Sequence, residues 1–125
     1  MCLATIDKEV KQVKDGYKVV YLTDGAFHTV CYGMDKPLPV GVWLDEADYA
    51  RTELWYNEND LITTLSFGDY PRGWHSYITK EDAGNSGFHF DAIVKVKIKE
   101  VLASGTQWGN GVVVSRFIKI VEVLK

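Results

Sequence analysis

Arginine 116, three histidines and a set of aromatic rings are the residues of this chain whose types could carry chemistry. Arg116 lies inside Gly111-Val-Val-Val-Ser-Arg-Phe-Ile-Lys-Ile-Val-Glu-Val-Leu124, which otherwise reads as a buried β-strand. Side chains alternate faces along a strand, so Arg116 is expected to share a face with Val112, Val114, Ile118 and Ile120, and a guanidinium there needs an anion. Either an Asp or Glu from a neighbouring strand answers it, or the phosphate or carboxylate of a ligand does. The histidines are His28, His75 and His89, and none stands i, i+2 or i, i+4 from another histidine or a cysteine, so no metal centre is expected. His75 sits between Trp74 and Tyr77, just after a glycine, where it either hydrogen-bonds loop backbone or contacts a ligand.

The rings are the second lead. Four Trp, seven Tyr and five Phe make up 13% of the chain, and Tyr56, Trp74, Tyr77, Phe88, Phe90 and Trp108 fall in expected loops or at strand ends. Such rings either pack in core and rim or stack on a purine, where each base is worth about 1–3 kcal/mol. Arginine can grip a phosphate bidentately beside them. Chemistry and location therefore select Arg116, Arg51, Phe88, Phe90 and Asn110, with Trp74 and His75, as ligand-binding candidates. No nucleophile elbow, phosphate-binding loop, dinucleotide fingerprint or Ser/Cys–His spacing is present, so the expectation is a binding protein without a catalytic residue or a cofactor.

These residues must be positioned by a small domain. The 125 residues are 46% hydrophobic, which predicts one domain, residues 1–125, with its own core. A net charge of −3 argues against a surface for polymeric nucleic acid, but two or three well-placed cations suffice for a small phosphorylated ligand. Cys2 and Cys31 read as free thiols of an intracellular protein, and no apolar run is long enough to span a bilayer.

Tyr17 to Thr23 and Ala26 to Tyr32 read as a hairpin about Asp24-Gly25, and Val40 to Leu44 as a short strand or extended segment. Residues 45–60 carry six acidic residues against Arg51 and read as irregular, with Glu53 to Tyr56 as a candidate strand and Asn57 to Asp60 as a turn. Leu61 to Phe67 is a strand or a short helix, and Tyr70-Pro-Arg-Gly73 a loop. Thr79-Lys-Glu-Asp82 has capping-box spacing and predicts one or two helical turns through Ala83. Ala92, Val94, Val96 and Ile98 alternate with Lys95, Lys97 and Lys99 as a half-buried strand. Gly105 to Gly111 is expected to be a loop. Val113, Phe117, Val121 and Val123 make the second face of the last strand apolar too, so it is either central and covered on both sides or buried in an oligomer. The sum is an α+β fold, a mainly antiparallel β-sheet domain with one or two short helices.

Met1-Cys-Leu, Tyr17-Lys-Val-Val with Asp24-Gly25, Val40-Gly-Val-Trp, Gly73-Trp-His-Ser-Tyr-Ile-Thr-Lys-Glu-Asp-Ala83, Val94-Lys-Val and Gly111-Val-Val-Val-Ser-Arg-Phe-Ile-Lys-Ile follow one another through most of the chain. In these blocks it resembles a family of small phage proteins, the Thoeris anti-defence family. The resemblance implies a sponge in the host cell cytoplasm that sequesters a small nucleotide signal, a cyclic ADP-ribose isomer, without degrading it. It further implies a homo-oligomer, a dimer or a hexamer, with ligand held between protomers and a second class of site for cyclic oligonucleotides. Arg116 and Trp74 are the positions to which it assigns a binding role. Joined to the rings, it makes a ligand phosphate near a subunit interface the expected anion of Arg116. The alternatives are a small enzyme acting on NAD or ADP-ribose, and a structural homo-oligomeric interaction module.

Overall fold

The Lys-alternating segment does form a strand, and it outruns its pattern: β8 spans Ala92–Gln107 and returns through Trp108-Gly109 as β9, Asn110–Val123. The computed structural model describes residues 3–30, 36–49, 61–63, 69–71 and 73–124, with backbone alone for 61–63 and 69. Ahead of the long hairpin lie β1 (Thr5–Ile6), β2 (Asp15–Thr23), β3 (Ala26–Thr29), β4 (Trp43–Asp45), a 3-10 turn (Glu46–Asp48), β5 (Leu61–Thr63), β6 (Asp69–Pro71), β7 (Trp74–Tyr77) and α1 (Lys80–Gly84). This is the mainly antiparallel α+β architecture that the sequence predicts. Expectations for Glu53 to Tyr56, Asn57 to Asp60 and Arg51 lie outside the described residues.

Local chemistry explains the boundaries. Asp24 and Gly25, at φ 52° and 78°, make the tight turn of the β2–β3 hairpin. Thr79 caps α1, its hydroxyl accepting from the Asp82 N–H at 3.1 Å. Tyr70 and Pro71, expected in a loop, lie in β6 instead, where Pro71 closes the strand opposite Leu61. Gly105 to Gln107, also expected as loop, continue β8: Gly105 marks the point where β1 crosses so closely that a Cβ would lie 1.8 Å from the Thr5 carbonyl oxygen.

Strand pairing closes on itself. β2 pairs with β8 and β7, β7 with β9, and β9 with β8, so four strands form a closed circuit that leaves β1, β3 and β4 as edges. Two apolar clusters occupy the two faces. One gathers Val20, Leu44, Trp74, Val94, Val96, Ile98, Val113, Ile118 and Ile120, and the other Leu3, Val19, Tyr70, Tyr77, Ile93, Ala103, Val112 and Val114.

Alternation breaks in the middle of the hairpin. Glu100 takes φ +57°, and Leu102 has no partner across the ladder, because Val101 pairs with Ser115 and Ala103 with Val114. Ile98 and Val101 consequently pack in one cluster although they stand three positions apart, on opposite faces of a regular strand. On β9, Val112 and Val114 belong to one cluster and Ile118 and Ile120 to the other. Arg116 falls at this change of face. It is not on the apolar face expected for it: its side chain is 53% exposed. β9 is central, the first of the two alternatives for it, with Val113 buried, but it is not covered throughout: Val121 and Val123 stand exposed on its far half.

Candidate functional site

The change of face at Arg116 gives the outer surface of β4, β9 and β8 its character. Directly paired residues of antiparallel strands point to the same side. Trp43, Lys119 and Lys97 therefore make one cross-strand row, and Asp45, Phe117 and Lys99 the next row on the same side. Leu44, Ile118 and Ile98, between these rows, point the other way into the core. The alternation of lysines in β8 thus becomes a stripe of cations beside two rings.

Distances show the rings and cations in contact. The Lys99 ammonium lies 4.3 Å from the Trp43 ring and 5.0 Å from that of Phe117, Lys119 lies 5.1 Å from Trp43, and the Arg116 guanidinium 5.1 Å from Phe117. Such contacts contribute about 0.5–1 kcal/mol at exposed sites. Lys97 is neutralised by Asp15 at 2.8 Å, whereas Lys99 and Lys119 meet rings and no carboxylate among the described residues. Trp43 is 41% exposed, too much for a ring whose purpose is core packing.

Next to Trp43 opens a groove of about 340 Å³, lined by Lys36, Pro37, Trp43, Leu44, Asp45, Asp48 and Tyr49. That lies within the roughly 300–1,000 Å³ usual for small-ligand sites. Two rings, one ammonium and two carboxylates line it. Lys36 Nζ donates to the Asp48 carbonyl and lies 5.6 Å from the Tyr49 ring. Asp45 begins the 3-10 turn, one oxygen accepting from the Ala47 N–H at 3.0 Å, while its other oxygen lies 3.4 Å from Arg116 Nη2. Burial pushes the Asp45 carboxyl up, but the Ala47 N–H and the Arg116 guanidinium outweigh it and hold the group below the usual range. Glu100 lies 3.9 Å from Arg116 Nε. The anion that answers Arg116 in this structure is a carboxylate from a neighbouring strand, one of the two sources its type demanded.

A second, narrower space is bordered by Lys18, Thr29, Glu46, Tyr49, Trp74, His75 and Tyr77. Its free volume of about 30 Å³ holds one or two waters and no nucleobase. The neighbouring groups are committed inward. Lys18 is buried, 7% exposed as a residue, and its ammonium donates to the His75 carbonyl at 2.7 Å. The Trp74 indole N–H donates to the Leu44 carbonyl at 3.0 Å, and its ring meets that of Tyr49 at 5.1 Å. Trp74, at the first position of β7, is a core residue, 4% exposed.

His75 is engaged at both nitrogens: Nδ1 lies 3.2 Å from the Gly73 carbonyl and Nε2 2.9 Å from the Tyr70 hydroxyl, which accepts from the Leu3 N–H at 3.0 Å. The neutral ring that donates through Nδ1 and accepts at Nε2 satisfies all three groups. Burial, assisted by the Lys18 charge, drives its pKa well below the usual 6.5. The unfolded chain then takes up a proton that the folded one refuses. The stability His75 contributes is fully present above pH 6.5 and is lost, at up to about 1.4 kcal/mol per pH unit, as pH falls from 6.5 toward the folded pKa. Urea unfolding of the protein and of His75→Gln between pH 5.5 and 7.5 checks this: the substitution is expected to flatten the slope, and equal slopes would remove His75 as its cause.

The remaining candidates scatter. Asn110 lies in β9, buried, donating its amide to the Asn85 carbonyl at 3.1 Å. Phe88 and Phe90 pack half-buried against the second cluster, Phe88 within 5.9 Å of the Trp108 ring, and Arg51 lies outside the described residues. The structure does not gather Trp74, His75, Phe88, Phe90 and Asn110 around Arg116. The groups it does bring near Arg116 are Phe117, Lys99, Asp45 and Glu100, with Trp43 beyond them; the wet lysine face of β8 was the visible signal, but the pairing of β4 with β9 was not. No cluster of three metal-ligating side chains occurs among the described residues, and no described helix is long and apolar enough to cross a membrane. Comparison with protein families, with curated proteins and with solved structures found no match for this chain.

Proposed function

We propose that the protein binds a phosphorylated, ring-bearing small molecule of nucleotide type and holds it without chemistry. The observation that carries this reading is the groove beside Trp43, where two aromatic side chains adjoin a surface carrying Lys99, Lys119 and Arg116. A base stacks on Trp43 or Tyr49, ribose hydroxyls donate to Asp45 or Asp48, and the phosphates meet the cations. The wall of the groove carries one ammonium and two carboxylates, so the cations for the phosphates are those beside it, Lys99, Lys119 and Arg116, on a chain whose net charge is −3. The resemblance to the Thoeris anti-defence family points to the same class, and names a cyclic ADP-ribose isomer as the ligand to be sequestered in an infected cell.

Calorimetry with cyclic ADP-ribose isomers, followed by recovery of the ligand from denatured protein, tests this. Saturable binding and intact ligand are expected, and Trp43→Ala should weaken binding by about five-fold or more, the lower end of a lost stacking contact. No heat at micromolar protein, or conversion of the ligand, would end the sponge reading.

A further inference from the structure

We propose that Asp45, in the wall of this groove, and Glu100, outside it on β8, are specificity residues: they occupy Arg116 with two negative charges, so that a ligand group carrying two charges displaces them and one carrying a single charge does not. This rests on the groove accepting a nucleotide.

Three observations converge. Arg116 faces two carboxylates, at 3.4 Å and 3.9 Å, from two different strands. All three side chains are solvent-accessible, with 53%, 25% and 53% exposure for Arg116, Asp45 and Glu100, so the pairs are weak and exchangeable. Glu100 is carried at φ +57°, a conformation that disfavours any side chain but places this one beside the arginine at the bend of β8. Asp45 belongs at once to the groove wall and to the arginine.

The exchange follows from charge and geometry. A phosphomonoester dianion presents several oxygens to the guanidinium fork and replaces both carboxylates. A single phosphodiester brings one charge, leaving a carboxylate to face the incoming phosphate. A diphosphate, with one charge on each phosphorus, meets the requirement for two.

AMP and 3′,5′-cyclic AMP share base and ribose and differ in phosphate charge, and so serve as probes. Asp45→Asn keeps the turn, since Asn caps as well as Asp, and Glu100→Gln keeps the side-chain shape. Calorimetry on the full chain is expected to show AMP preferred over cyclic AMP. Each variant should bind cyclic AMP about two- to five-fold more tightly, as expected for releasing an exposed pair. Arg116→Ala should abolish the preference. Wild-type binding of AMP with the same AMP to cyclic AMP ratio in Asp45→Asn and Glu100→Gln overturns this proposal alone. Absence of binding of either probe, and of cyclic ADP-ribose isomers, by wild type and variants overturns it together with the nucleotide reading.

Discussion

Replacing Trp74 by Ala is expected to cost about 3–5 kcal/mol of folding stability, the usual range for deleting a fully packed large ring. That is a large part of the roughly 5–15 kcal/mol by which a domain is stable. The indole lies within the first apolar cluster at 4% exposure and meets Tyr49 at 5.1 Å. Its N–H also satisfies the Leu44 carbonyl of β4, so truncation leaves a buried acceptor short of a partner. β4 carries Trp43 and Asp45, hence the groove loosens with the core. Trp74→Phe isolates the bond from the ring and should cost less, about 1–3 kcal/mol. Urea unfolding reads both. Trp43→Ala, by contrast, should cost only about 1–2 kcal/mol, the worth of the two exposed contacts with Lys99 and Lys119, while binding suffers. A folded, stable Trp74→Ala that loses ligand, beside a Trp43→Ala that keeps it, would return Trp74 to the binding site and discard the groove.

Gly105→Ala should destabilise by about 3 kcal/mol, the upper range for forcing atoms into a packed site. The added Cβ would lie 1.8 Å from the Thr5 carbonyl oxygen, 2.8 Å from its carbon and 3.2 Å from the Ile6 Cα. All three are backbone atoms, so no side-chain rotation makes room and β1 has to leave the sheet. With it go the Ala4 N–H bond to Thr106, the Asp7 N–H bond to Ser104, and the seat of Leu3, which is 2% exposed and donates its N–H to Tyr70. Hydrogen exchange should quicken first at Ala4 and Asp7, before the β8–β9 ladder opens. Gly25→Ala is the control: nothing lies within 4 Å of its Cβ, and the cost is the positive φ alone, about 1 kcal/mol. Equal effects at the two glycines would show that β1 yields without loss.

What a few consecutive residues decide was legible in the sequence. Asp24-Gly25 turns the hairpin because both positions need positive φ, Thr79 caps α1 because its hydroxyl reaches the Asp82 N–H, and Ala92 to Lys99 alternate because one face meets the core. The glycine at 105 misled, since a glycine demanded by a crossing strand and one demanded by a loop look the same in one dimension. In the sequence Trp74 and Asn110 read as ligand-binding candidates at a strand end and in a loop; the structure puts Trp74 in the core at the start of β7 and Asn110 in β9 with its amide on the Asn85 carbonyl.

Arg116 marks the boundary between the two kinds of information. By itself the sequence determined that a cation in this strand needs an anion, that the lysines of β8 share a wet face, and that no catalytic constellation is spelled out by spacing. Only the tertiary structure decided which face Arg116 occupies and which carboxylates answer it. In a strand with a two-residue side-chain period, one irregular residue at Glu100 and one unpaired residue at Leu102 exchange the faces along the hairpin, and with them the company each side chain keeps. The pairing of Trp43 with Lys119 and of Asp45 with Phe117 is likewise a matter of register between segments some seventy residues apart, set by packing of Leu44 and Ile118 beneath them rather than by any local preference.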